Sequence, residues 1–146
     1  MQDAVAWLDG TDGAKIAYRH EPGKHPGVLF CGGFHSDMEG SKATHLHARA
    51  AAAGIGFTRF DYQGHGSSSG AFAAGTIGLW AADALAVLDR VCEGPQVIVG
   101  SSMGGWMALL LARARPERVK GLVLIAPAPD FPRRLMLPEM PADVVE

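Results

Sequence analysis

The string Gly100-Ser101-Ser102-Met103-Gly104-Gly105 has the G-x-S-x-G pattern. The apolar run Val97-Ile98-Val99 precedes it, and a stretch of helical character follows from Met103 to Ala114. In a strand–turn–helix setting this pattern presents a serine nucleophile for acyl transfer. The spacing has a steric reason. A turn tight enough to push the Ser102 hydroxyl out of the fold crowds the residues two before and two after it, so both must be small. The same turn puts Ser102 at a helix N-terminus, where unpaired N–H groups and the dipole favour developing negative charge. Two other readings compete. Ser101 lies one residue off the motif, with a side chain expected to point back into the fold. A glycine-rich phosphate cradle would require G-x-x-x-x-G-K-[ST], or G-x-G-x-x-G after the first strand, and the sequence has neither there.

Acyl transfer also needs two N–H donors aimed at the tetrahedral oxyanion. The backbone of Met103, directly after Ser102, supplies one. Cys31-Gly32-Gly33-Phe34 follows an earlier apolar strand and resembles the HGG-type loop of esterases, so the second donor is expected to be the Phe34 backbone N–H. The plainer reading is that Gly32-Gly33 only turns the chain. Cys31 reads as a small packed hydrophobe, not as a reactive thiol.

A serine nucleophile needs a base. The six histidines are His20, His25, His35, His45, His47 and His65, and none follows Ser102. His35 and His65 are expected at the C-terminal edge of the sheet, near Ser102, as loop hydrogen-bonding or substrate-contacting residues. His45 and His47 are two apart on a helix, so their rings face different sides and make a poor metal site. His20 and His25 read as surface loop residues.

These groups have to be held by a sheet. Val5 to Tyr18 reads as two short extended runs around Asp9-Gly10-Thr11-Asp12-Gly13, and an Asp-Gly pair between such runs reads as a β-hairpin. Gly27–Cys31, 55–62, 96–100 and 119–126 are short apolar runs, as strands buried on both faces should be. Helices are expected over 41–53, stopping at Gly54, from a cap at Thr76 to about Cys92, and over 103–114. Four strand–helix steps in order predict a mostly parallel sheet with helices on both faces. After Pro127 the periodicity is lost, and five prolines fall between Pro127 and Pro141.

The 146 residues suffice for one domain with a core. Apolar residues make up 48% and charged residues 19%, and the net charge is −2, which gives no basic patch for nucleic acid. No run is long enough for stable membrane insertion. Met1-Gln2-Asp3-Ala4 shows no basic-then-apolar pattern, so no signal peptide is expected. Two cysteines, Cys31 and Cys92, make no disulfide framework, and a cytoplasmic protein with reduced thiols is expected.

Three stretches together carry a family resemblance: 34–43 (Phe-His-Ser-Asp-Met-Glu-Gly-Ser-Lys-Ala), 59–70 (Arg-Phe-Asp-Tyr-Gln-Gly-His-Gly-Ser-Ser-Ser-Gly) and 100–106. The chain resembles the N-terminal half of the α/β-hydrolases grouped with mitochondrial palmitoyl-protein thioesterase, and 126–131 is similar to bacterial members. The resemblance implies an α/β-hydrolase sheet truncated after the sixth strand. It implies a core over 1–129 and the start of a lid segment over 130–146. It further implies hydrolysis of an ester or thioester of a small-molecule or lipidated acyl substrate, through an acyl-serine intermediate and with no metal or organic cofactor. Ser102 takes the nucleophile position, and Phe34 and Met103 the oxyanion positions. Gly32 departs from the Pro or His often found there, which changes loop stiffness and not the donor.

In this fold the triad order is Ser, then Asp or Glu, then His. The acid and base are therefore expected beyond Glu146, leaving this stretch alone without them. Asp130 reads as the start of the lid and not as the acid, and Glu139, Asp143 and Glu146 as solvated lid charges. The strand 119–126 would be an apolar open edge, so the chain by itself is expected to aggregate, or to pair with the missing half or a second copy. The alternative is a non-catalytic module of the same fold that binds an acyl group or a partner.

Overall fold

The computed structural model describes residues 4–127. Six strands form one sheet: β1 (Ala6–Asp9), β2 (Lys15–Glu21), β3 (Lys24–Cys31), β4 (Ile55–Phe60), β5 (Gln96–Ser101) and β6 (Val119–Ile125). Their order is β1-β2-β4-β3-β5-β6. β1 and β2 are antiparallel, β2 joins β4 antiparallel, and β4, β3, β5 and β6 run parallel. Three helices connect them: α1 (Ser41–Ala52), α2 (Ile77–Arg90) and α3 (Met103–Ala114). This is the α/β-hydrolase architecture the sequence predicts. Three strand–helix steps are complete among the described residues, and β6 is the strand of the fourth. The expected 129/130 boundary falls outside them.

Each element follows from local sequence. Asp12 and Gly13 both take positive φ, 52° and 77°, which closes the β1–β2 hairpin. α1 turns Ala43, His47 and Ala50 inward. Their small or flat side chains let the helix sit close on Phe30, Phe57 and Val99. On the opposite face α2 contributes Trp80, Ala84, Val87 and Leu88, and α3 contributes Met103, Met107 and Leu111, around Leu29 and Ile98. Burying each large apolar side chain stabilises the fold by about 1.5–3 kcal/mol. Thr76 caps α2 by accepting the Leu79 N–H at 3.0 Å, worth about 1 kcal/mol.

Two expectations need correction. β3 starts at Lys24 and not at Gly27, because Lys24 pairs with Ile55. His20 is not a loop residue: β2 extends through it, pairing His20 with Thr58, and its Nδ1 lies 2.8 Å from Thr58 Oγ1. His25 is exposed as expected, although it too lies on a strand. Among the described residues no strand pairs with the outer side of β6, where the sequence places an open edge. Val123 of β6 is 49% exposed, with Leu122 and Leu124 exposed beside it.

Candidate active site

β5 runs directly into Ser102, and α3 begins one residue later. Ser102 holds φ 57° and ψ −117°, a conformation that costs a non-glycine residue roughly 1–3 kcal/mol. Two backbone bonds sustain it: its N–H donates to Ile125 O at 2.9 Å, and its carbonyl accepts from Gly105 N–H at 2.9 Å. The small-residue requirement is visible as distances. A Cβ on Gly100 would lie 2.3 Å from Gly104 O, and one on Gly104 would lie 1.9 Å from Cys31 O. Ser102 is exposed, so the strained turn does present its side chain outward. Ser101, half-buried, belongs to β5 and lines a cavity of about 220 Å³ with Phe30, Ser36 and Lys42.

Met103 is the first residue of α3, so its N–H has no acceptor within the helix. Its side chain is fully buried and serves the core. The loop after β3 runs beside the serine: a Cβ on Gly33 would lie 3.6 Å from Ser102 Cβ. Gly33 to Ser36 forms a turn, with Ser36 N–H and Oγ both donating to Gly33 O at 3.3 and 2.8 Å. Phe34 is exposed, and its ring packs 5.0 Å from Phe72 and 5.8 Å from Trp80. Sequence reasoning named Ser102, Met103 and Phe34, and the fold brings the two chain segments that carry them together.

The supporting side chains come from the end of β4, the loop after it, and helices α1 and α2. Asp61 is buried and accepts the Met38 N–H at 2.7 Å and the Ser67 N–H at 2.9 Å. Arg59, also buried, donates from Nη1 to Met38 O at 2.6 Å and from Nε to His47 Nδ1 at 2.9 Å. His47 Nε2 in turn meets Glu21 Oε1 at 3.0 Å. Gly66 holds φ 48°, and a Cβ there would strike the Asp61 carboxylate at 2.2 Å. Asp83 of α2 accepts two bonds from Gln63, from the backbone N–H and from Nε2, each at 2.8 Å. Burial pushes the Asp61 and Asp83 carboxyls above their usual range, against the bonds that stabilise their charge.

The histidines sort clearly. His65 is 4% exposed; its Nδ1 meets Gln63 O at 3.1 Å and its Nε2 meets His35 N–H at 3.1 Å. Both ring nitrogens are thereby committed, so the ring is a loop tether and not a base for Ser102. The His35 ring packs 4.4 Å from Phe72. His45 is exposed and His47 buried, on different faces as expected. Among the described residues no group of three His, Cys, Asp or Glu side chains could hold a metal ion. Cys31 and Cys92 are buried free thiols; burial pushes Cys31 far up and Cys92 up to about 11, so neither is reactive. Asp130, Glu139, Asp143 and Glu146 lie outside the described residues.

Sequence reasoning gave Arg59, Asp61 and Asp83 no role. A signal was present for Asp83, an acid at helical spacing with the apolar Leu79 and Val87. A carboxylate on the buried face of a helix needs a partner.

The sheet order and the strained serine turn define an α/β-hydrolase. A family profile described as "Serine aminopeptidase, S33" matches residues 24–144, and the chain belongs to that α/β-hydrolase family. It is 45% identical over 127 residues to the mouse protein named mitochondrial palmitoyl-protein thioesterase ABHD10, which covers 87% of this chain and 43% of that protein. The human protein of the same name is 41% identical over 130 residues, covering 89% of this chain and 42% of its own length. The solved structure of mouse alpha/beta hydrolase domain-containing protein 10 superposes with a TM-score of 0.90 at 40% identity, covering 98% of this chain and 57% of that one. The chain thus spans less than half the length of these curated relatives. Their names place them in mitochondria, which overturns the cytoplasmic expectation drawn from unpaired cysteines. Reduced thiols are equally compatible with other reducing compartments.

Proposed function

We propose that these residues carry the nucleophile half of a serine hydrolase that cleaves acyl esters or thioesters. The observation that carries the reading is Ser102 itself: exposed, held at positive φ between β5 and α3, and flanked by the Gly33-Phe34 loop. Backbone strain of this kind persists only where the surroundings enforce it, and it clusters at functional sites.

In this reading Ser102 Oγ attacks the acyl carbonyl carbon. The Phe34 and Met103 N–H groups stabilise the tetrahedral oxyanion, each worth about 3–4 kcal/mol when the geometry is right. The alcohol or thiol leaves, an acyl-serine remains, and water releases the acid. No histidine follows Ser102 in these 146 residues, so this reading requires the triad base, and with it the acid of the family's order, from elsewhere in the complete polypeptide. No metal or organic cofactor takes part. The names of the relatives support acyl thioesters, lipidated proteins included, whereas the family description names a peptidase. Turnover of palmitoyl thioesters, short acyl esters and peptides by the complete polypeptide, with Ser102→Ala beside it, tests the assignment. A clear peptide preference overturns the substrate class.

A second reading is a non-catalytic module that binds an acyl group or a partner protein through β6. The exposed apolar edge at Leu122, Val123 and Leu124 favours it. A coding sequence that runs on into strands bearing Asp and His decides for the hydrolase.

A further inference from the structure

The turn that carries Phe34 has an unusual backbone. Gly33 and Ser36 are its ends, and Phe34 and His35 its centre. Of these two central residues only His35 has positive φ, 60°, the type II arrangement that favours glycine at that position. For a residue with a Cβ the left-handed region costs about 1–2 kcal/mol. Turning the Phe34–His35 peptide over would relieve that cost by converting the turn to type I. Something must therefore hold the peptide as it is.

His65 does so by hydrogen-bond logic. The Gln63 carbonyl can only accept, so His65 Nδ1 carries the proton and donates across 3.1 Å. Nε2 is then a lone pair, and it accepts the His35 N–H across 3.1 Å. With the peptide turned over, the Phe34 carbonyl oxygen would face that lone pair and the contact would become repulsive. The ring cannot swing aside: Trp80 packs edge-on at 5.1 Å, Phe72 at 5.2 Å and Tyr62 at 5.5 Å.

We propose that His65 is a positioning residue for the reaction: the Phe34 N–H belongs to the Gly33–Phe34 peptide and does not turn over with the next one, but by holding the His35 N–H, His65 anchors the whole Gly33–Ser36 turn beside Ser102, and with it the Phe34 donor of the proposed reading. This rests on the serine-hydrolase reading above. His65 touches no substrate and moves no proton. Its contribution is felt where oxyanion donors act, in the transition state and not in substrate binding.

The test uses the complete polypeptide with a p-nitrophenyl acyl ester. His65→Met fills the aromatic cage without an acceptor, His65→Ala empties it, and His65→Gln restores an acceptor oxygen. The expected result is a kcat at least about tenfold lower in H65M and H65A, with KM within about twofold, the pattern of an interaction made only in the transition state. H65Q returns kcat to within about threefold of the parent. A kcat in H65M within twofold of the parent overturns the proposal, as does a folded H65Q no faster than H65M. H65M decides where H65A does not fold. The outcomes separate from failure of the underlying reading: S102A that still turns over substrate sinks the serine hydrolase itself, whereas an inactive S102A beside a fully active H65M sinks only the role of His65.

Discussion

The backbone N–H of Ser102 donates to the carbonyl of Ile125 across 2.9 Å. The serine turn is thus built on two strands, β5 that carries it and β6 that accepts from it. β6 pairs with β5 on one side, and on the other it presents an apolar edge. Residues 1–146 on their own are expected to associate in a concentration-dependent way, since an open apolar edge templates pairing. Val123→Lys should shift sedimentation towards monomer. A sharp, concentration-independent monomeric unfolding transition of the parent chain would count against this.

Gly104 tolerates no side chain. A Cβ there meets the Cys31 carbonyl oxygen at 1.9 Å, and that atom belongs to β3 at the centre of the sheet. Gly104→Ala is expected to lose about 3 kcal/mol of stability or to displace the serine turn. Gly121→Ala is the control, because its nearest contact would be Val97 Cγ2 at 4.0 Å. Urea midpoints of the two variants in the complete polypeptide compare them; equal midpoints would refute the steric account.

The buried Arg59 holds Met38 O and His47 Nδ1 together, and with them the far end of the loop that begins at Gly32. Removing it leaves both buried acceptors without their donor. Arg59→Met should cost about 3 kcal/mol, read by denaturant unfolding. Arg115→Ala, which breaks the exposed pair with Asp89, should be indistinguishable from the parent. A reversal of that order would contradict the reading.

Asp83 provides a pH test with a definite sign. Burial raises its folded pKa above the unfolded value, so folding takes up a proton. The associated stability is full below the ordinary carboxylate range and is lost as pH rises through the folded value. Asp83→Asn removes this titration. The urea midpoint of the parent minus that of D83N should therefore fall over the interval in which pH rises above the ordinary Asp value of about 4. A difference that grows over that interval would mean that the Gln63 bonds outweigh burial.

The alternation of strands and helices, the caps and the serine turn were legible because each is a local pattern. Thr76, Gly54 and Gly100-Ser101-Ser102-Met103-Gly104 announce themselves within a few residues. The tethers were not. Asp61 binds Met38, and His65 binds His35, across 23 and 30 residues of sequence. Nothing in the neighbourhood of either partner encodes that meeting; the parallel pairing of β3 with β4 creates it. His20 was misplaced for a related reason, since only pairing with Thr58 extends β2 past Tyr18. Compartment was misread because cysteine usage reports redox conditions and not an address.

In the proposed reading Ser102 is a nucleophile whose base lies outside these 146 residues. Fluorophosphonate labelling, read by intact mass, tests it on residues 1–146 and on the complete polypeptide, each beside its Ser102→Ala variant. The expected result is labelling of the complete polypeptide that is abolished by S102A, and little or none of the 146-residue chain shown to be folded. Undiminished labelling in S102A of the complete polypeptide would contradict it.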